Sequence, residues 1–402
     1  MQLPSPKKPP WHISLVLGVT TFVHYLDRNT LALALPHLAA ENHWTNAETG
    51  YWGQYLLGAF YLTFGLFQLW LSPVAERWNI KATLALSIAG FSTITMLFYP
   101  LGGSLVALIG LRLLLGAAES LHMPMNSAIV SRTFPPKALS RANALYVGGI
   151  LLALLLGPLI LVPLIEKIGW RLTFAVLGLG GLLLSLPLVL RFIPPLPPSP
   201  EKSPSFSSWG LDLTLGLYIL AGSANAFCVF GLLNWLPSYL TRSQGIPFEE
   251  LSGPLVAVFS GSLVGLFWWA WLGDRTGKRL SWAAVGLGGA GLCVSLIALP
   301  LSPTAIVAAL TLATFLQSSY NAQEFATLQT LYPPHTTGAV TGKYNGLTVL
   351  LGGVGGSFIP GSIVERTGSF QAGLLSLAAG AFLVALTLLY LRYRLRRQGQ
   401  AL

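Results

Sequence analysis

Twelve apolar runs follow one another along this chain, separated by short polar breaks. They cover residues 11–38, 49–74, 82–101, 104–133, 138–166, 170–193, 209–240, 248–273, 280–300, 303–332, 337–365 and 369–394. About 20 apolar residues are needed for a helix to cross a bilayer, so each run reads as a transmembrane helix. The composition agrees: 9% of residues are charged, where a soluble domain carries roughly 25%. The 43 glycines and 27 prolines are also at home in membrane helices, where neighbouring helices re-satisfy freed backbone groups. Lys7 and Lys8 before the first run, with Ala32-Leu33-Ala34 inside it, resemble a secretory signal. The run is too long for one, however, and it carries Asp27-Arg28.

Twelve crossings put both termini on one side, and the basic residues say which. Lys7, Lys8, Arg77, Lys81, Arg132, Lys137, Arg141, Arg191, Lys202, Arg275, Lys278, Arg279, Arg392, Arg394, Arg396 and Arg397 fall on one set of ends and loops. The opposite set holds only Lys167, Arg171, Arg242 and Arg366. By the positive-inside rule the termini are cytoplasmic, and the expected location is the plasma (cell inner) membrane. This sorting also accounts for the net charge of +10 without a nucleic-acid partner. Cys228 and Cys293 lie inside apolar runs and read as packing residues. No His/Cys/carboxylate group has metal-ligand spacing, and no P-loop or nucleophile motif is present. An enzyme is not expected, nor a cofactor; an ion gradient or the substrate gradient itself has to supply the energy.

Residues 194–208 are rich in Pro and Ser and read as a cytoplasmic linker. They divide an N-terminal bundle, 1–193, from a C-terminal bundle, 209–402. The halves repeat weakly. Phe134-Pro135-Pro136 matches Tyr332-Pro333-Pro334, and Glu76-Arg77 matches Asp274-Arg275, both at an offset of 198 residues. Gly157 and Gly169 match Gly356 and Gly368 at 199. Parallel six-helix repeats with a midplane site are a known transporter design.

Gly273-Asp274-Arg275-Thr276-Gly277-Lys278-Arg279 resembles the signature loop of the major facilitator superfamily. The first-half copy, around Glu76-Arg77, keeps acid and base but loses the glycines. Tyr25-Leu26-Asp27-Arg28, Arg112 through Glu119, Pro124, Phe134-Pro135-Pro136, Arg141-Ala142 and Gly169-Trp170-Arg171 are similar to the anion:cation symporter family within it. In the second half Asn345, Gly352-Gly353, Pro360 and Thr367-Gly368-Ser369-Phe370 extend the match. The resemblance implies two pseudo-symmetric six-helix bundles and transport of sugar acids or other organic anions with protons. It also implies that Asp27 and Glu119 couple protons while Arg28 and Arg112 serve the substrate or the coupling. Spinster-like lysolipid transporters share the Asp-Arg and Arg…Glu elements.

The residues support this division chemically. A charge at the bilayer centre costs roughly 2.5–3.5 kcal/mol, so Asp27, Arg28, Arg112 and Glu119 should face the bundle interior. A guanidinium matches a carboxylate or phosphate as a fork. Burial favours a neutral acid and a neighbouring arginine favours the carboxylate. An anion that takes the arginine therefore lets the acid take a proton, which is symport. His24 and His122 lie three residues from an acid, one turn away, where they could relay protons, bind substrate or simply satisfy helix contacts. The repeat puts Asn225 opposite Asp27 and Gln317 opposite Glu119, so coupling belongs to the first half and neutral hydrogen-bonders read the substrate in the second. Expected substrate-binding residues are Arg28, Arg112, Tyr55, His122, Gln317, Tyr320, Asn321 and Asn345, with Asn225 and Asn234 as further candidates. Glu76, Arg77, Asp274 and Arg275 are expected at a cytoplasmic gate. Glu324 and Lys343 would add an ion pair there or a plain structural bridge. The chain is thus expected to be a monomeric secondary transporter in contact with membrane lipid, moving a small organic anion with protons. Export of a lysolipid, or of a drug by proton antiport, is the alternative; two arginines in the site favour the anion.

Overall fold

The computed structural model describes residues 9–75, 78–135, 138–196, 212–332 and 334–398. Glu76, Arg77 and most of the Pro/Ser-rich linker lie outside the described residues. Twelve helical spans follow one another. They are α1 Trp11–Glu41, α2 Asn46–Ala75, α3 Ile80–Leu101 and α4 Leu105–Thr133, then α5 Leu139–Ile168 and α6 Trp170–Phe192. The second half holds α7 Leu213–Arg242, α8 Ser252–Thr276, α9 Arg279–Ser295, α10 Pro303–Leu331, α11 Pro334–Thr367 and α12 Phe370–Arg397. Among the described residues, nine spans are long and apolar enough to cross a membrane, all but α1, α2 and α10. Those three run for 31, 30 and 29 residues, so they are more polar, not shorter. Two of them, α1 and α10, carry Asp27, Arg28, Gln317, Tyr320, Asn321 and Glu324 among the candidate site residues.

Several expected boundaries move. The seventh run begins at Leu213 rather than 209, because Asp212 caps it: its carboxylate accepts from the Leu215 N–H at 2.6 Å, filling one of the orphan donors of a helix start. The Tyr332 hydroxyl donates to the same carboxylate at 2.9 Å. Partial burial, and then the Asp212 hydrogen bond, push that phenol above its ordinary range. The ninth run ends its α-helix at Ser295 and closes with a 3-10 turn over Leu296–Ala298.

The helices form two compact units. One takes the chain up to Leu31 and again from Leu62 to the linker. The other takes Ala32–Tyr61 and the chain beyond the linker. In the first unit α3 packs against α4 and α6, with Phe98 and Phe174 stacked at 4.4 Å between ring centroids. In the second, α7 packs on α11 and α12, and α10 on α8 and α9. Its core is built on Tyr218, Leu287, Tyr320, Tyr344 and Leu388.

Candidate functional site

The expected continuous fourth run is broken in its middle. Pro124 has no N–H to donate to the carbonyl four residues back, that of Ser120. The α-helix accordingly stops at Glu119, turns through Ser120 and Leu121, and restarts at His122. Glu119 and His122 thereby flank the break, and both are fully buried at 0% exposure.

Around the break the first unit gathers every ionisable residue expected at its centre. His24, Asp27, Arg28 and Arg112 are all buried. The Thr95 hydroxyl of α3 donates to Asp27 Oδ2. His24 Nε2 lies 2.9 Å from Glu119 Oε2. Arg112 acts electrostatically on both Asp27 and Glu119, and Arg28 on Glu119 and His24. The Arg28 guanidinium also lies over two rings, 4.7 Å from the Phe64 centroid and 5.3 Å from that of Tyr25. Such cation–π contacts help a buried arginine stay charged. The His24 and His122 rings stack at 4.5 Å with 5° between their planes. Phe91 packs edge-on to both, at 5.5 and 5.9 Å. Asn126 donates to the Thr21 hydroxyl at 3.1 Å. Thr95, Phe91, Asn126 and Thr21 belong to this cluster and were not among the residues expected there.

In the second unit the counterparts of the two acids are neutral amides. Asn225 and Gln317, the counterparts of Asp27 and Glu119, touch: Gln317 Nε2 donates to Asn225 Oδ1 at 2.6 Å. Asn225 in turn donates to Asn321 Oδ1 at 2.9 Å. These three amides form one network. Tyr320 belongs to another: its hydroxyl meets that of Tyr344 at 2.7 Å, and Tyr344 donates to Glu324 Oε1 at 2.6 Å. Tyr218 donates to the Glu324 main-chain carbonyl at 2.8 Å. The hydrogen bond given to the Glu324 carboxylate thus comes from Tyr344, the neighbour of Lys343 in sequence. Asn345 follows Tyr344 on α11, and its carbonyl accepts from the Thr348 hydroxyl at 3.1 Å. Asn234 donates to the Ser357 hydroxyl at 3.0 Å. Tyr55 joins none of these networks: it is 39% exposed, with its ring against Tyr51 and Phe358.

In the signature loop, Asp274 pairs with Arg279 at 3.1 Å, while the Arg275 guanidinium lies 5.3 Å from the Trp271 ring centroid. Arg279 also donates to Thr330 Oγ1 on α10 at 3.2 Å, so the acid is tied to α10 through it. Gly277 ends α8 with φ at +67°, the left-handed conformation that only glycine takes without cost.

Sequence and structure comparisons agree with this architecture. The D-galactonate transporter of Escherichia coli O6:H1 is 26% identical, with 96% of each chain covered. The hexuronate transporter of Bacillus subtilis is 24% identical, over 95% of this chain and 94% of the relative. Among solved structures, a bacterial homolog of the human lysosomal transporter Spinster, inward-facing and occupied, superposes with a TM-score of 0.72 at 20% identity, covering 96% of both chains. That likeness is one of fold. The model of the Major Facilitator Superfamily matches residues 17–357, which is most of the chain and includes every buried charge described above. This multi-pass, all-helical membrane protein is therefore a transporter rather than an enzyme, and it belongs to the Major Facilitator Superfamily.

Proposed function

We propose that the chain is a secondary active transporter that moves a small organic anion of the sugar-acid class together with protons. The observation that carries the reading is the buried set Asp27, Arg28, Arg112 and Glu119 in one unit. Two acids and two bases at this depth seldom stabilise a fold more than apolar packing would, whereas they suit coupled binding. A substrate carboxylate takes the guanidinium of Arg112 or Arg28, and the acid that loses its counter-ion takes a proton in exchange. The relatives named for galactonate and hexuronate point to the same chemistry. The amides Asn225, Gln317 and Asn321, with Tyr320 and Asn345, are suited to hydroxyl groups rather than to charge. His122 and Tyr55 complete the proposed substrate-binding set. Glu76, Arg77, Asp274, Arg275, Glu324 and Lys343 are the proposed gate.

In this reading the protein works as a monomer in the cell inner membrane, with both termini cytoplasmic and no cofactor beyond the proton gradient. Export of a lysolipid or of a drug by antiport is the reading it replaces, because the buried arginines match an anion.

The test is uptake into proteoliposomes under an imposed pH gradient, with D-galactonate, hexuronates, amino acids and phosphate compared. Glu119→Gln is expected to abolish gradient-driven accumulation while retaining counterflow. Undiminished accumulation in that variant overturns the coupling assignment. If amino acids or phosphate accumulate and sugar acids do not, the substrate class is overturned.

A further inference from the structure

We propose that His24 and Glu119 together hold one transported proton, and that His122 is the plate that keeps the His24 ring in place. That this proton is transported rests on the proposed function; the proton-binding pair itself stands on the geometry. His24 Nε2 and Glu119 Oε2 are 2.9 Å apart, both in fully buried residues. Among the described residues the Glu119 oxygens and the His24 nitrogens have no aligned hydrogen-bond partner, so the 2.9 Å approach is an ion-pair contact. A single proton between these atoms makes either an imidazolium beside a carboxylate or a neutral imidazole beside a carboxylic acid. In both forms the pair is neutral, and on release it becomes an anion. That is the property a proton carrier needs in a site where a bare charge is costly.

His122 constrains where the proton goes. Its ring lies parallel to that of His24 at 4.5 Å. Two imidazoliums at that distance in a buried site repel strongly, so the stack holds at most one extra proton. The ring nitrogens point within the ring planes, so stacked rings cannot pass a proton directly between them. The proton path from His24 therefore runs to Glu119. Neither His122 nitrogen has a hydrogen-bond partner among the described residues, which fits a ring held by stacking.

The neighbouring helices differ in what they add to this balance. From α1 come Asp27, Arg28 and the Tyr25 ring, edge-on to His24 at 5.4 Å, and from α4 Arg112. From α3 come Phe91 and the Thr95 hydroxyl, neither ionisable here. α5 meets α1 through Gly149, which carries no side chain. The two guanidiniums balance the anion left on release.

The fold itself does not require the imidazoles. At the offset of 198 residues His24 corresponds to Gly222, His122 to Tyr320 and Glu119 to Gln317. There the Tyr344 hydroxyl occupies the room beside Gly222, where an added Cβ would come within 2.2 Å of it. The second unit thus packs the equivalent place with tyrosine and glycine, and Tyr344 there meets Glu324 in place of a histidine. Both histidines are present where the acid is present, and both are missing where it is missing.

The test uses the full chain in nanodiscs, labelled with 15N-histidine, with the His24 and His122 signals assigned from His24→Asn and His122→Phe. A His24 Nε2 signal that changes state in one step with pH, and whose step moves in Glu119→Gln, is the expected result. Persistence of that step in His122→Phe, where an aromatic plate remains, supports the plate role. A His24 signal unchanged across about pH 5 to 9 and indifferent to Glu119→Gln overturns the pair. A second arm measures D-galactonate in proteoliposomes: His24→Asn should lose about tenfold in gradient-driven accumulation while keeping counterflow, and full accumulation overturns its role in transport. If D-galactonate does not move in the unaltered protein, the substrate reading fails, and the nanodisc arm still decides the pair.

Discussion

Thr95 lies in α3, a helix whose sequence reads as apolar, and its hydroxyl donates to the buried Asp27. A typical hydrogen bond contributes about 0.5–1.5 kcal/mol net, and a buried acceptor left without its donor costs about 1–3 kcal/mol. Thr95→Val keeps the shape and removes the donor, so it should lower thermal stability in detergent by about 1–3 kcal/mol, while Thr95→Ser retains most of it. An unchanged melting temperature for the valine variant would show that the hydroxyl is not Asp27's partner. The sequence could not single this threonine out. Most hydroxyls in these helices bond their own backbone one turn back, as Thr30 does to Leu26 and Thr133 to Ile129. Only three-dimensional proximity distinguishes Thr95 from them. Asp27, Arg28, Arg112 and Glu119 were legible because a charge in an apolar run is rare enough to need a reason. Their division into a His24–Glu119 contact and a Thr95–Asp27 contact was not, because both depend on which faces of α1, α3 and α4 meet.

Helix pairs in this protein approach closely through small residues, and α8 shows how selectively. Gly261 and Gly265 are one turn apart on the face that meets α10. A Cβ on Gly261 would come within 2.2 Å of the Thr311 carbonyl oxygen, and one on Gly265 within 2.4 Å of the Phe315 oxygen. Both obstacles are backbone, so the helices themselves would have to separate. Gly253, near the start of the same helix, has open space in that direction. Gly261→Ala should therefore cost about 1–3 kcal/mol from overpacking, whereas Gly253→Ala should be neutral or stabilise by up to about 1 kcal/mol through helix propensity. Equal melting temperatures for the two variants would contradict the close approach. At this scale the existence and order of the elements were legible from run length and charge sorting alone. The break in α4 was less so. Pro124 was visible in the sequence, but proline in a membrane helix often leaves the helix continuous, so its effect on Ser120 had to be seen.

The division of the whole chain into compact units does not follow the linker alone. Ala32–Tyr61, the turn joining α1 to α2 and the helix halves beside it, packs with the second half of the chain. Particular contacts hold it there. Arg242 at the end of α7 donates to the Trp44 carbonyl at 2.7 Å and to Asn46 Oδ1 at 3.0 Å. Asn46 donates to the Gly368 carbonyl at 3.1 Å. Deeper in, Gln54 donates to Glu365 at 2.9 Å and accepts from Ser362 at 2.7 Å. Between these layers Gly50 and Gly361 let α2 and α11 touch backbone to backbone. None of this is readable from one sequence, because it depends on pairing residues some 200 to 320 positions apart. Thr49, fully buried at 0% exposure with its hydroxyl bonded to the Thr45 carbonyl, reports on it. In a background with Cys228 and Cys293 replaced by alanine, a Thr49→Cys probe should react slowly with a membrane-impermeant maleimide. Arg242→Ala removes two hydrogen bonds from a charged donor, each worth roughly 1.5–3 kcal/mol. It should raise the labelling rate by about tenfold or more, since about 1.4 kcal/mol is already a factor of ten in an opening equilibrium. Arg242→Lys, which keeps the charge but loses the fork that reaches both acceptors, should fall in between. The same labelling rate in all three proteins would mean that the Ala32–Tyr61 segment is held by its glycine-mediated helix contacts and not by this polar latch.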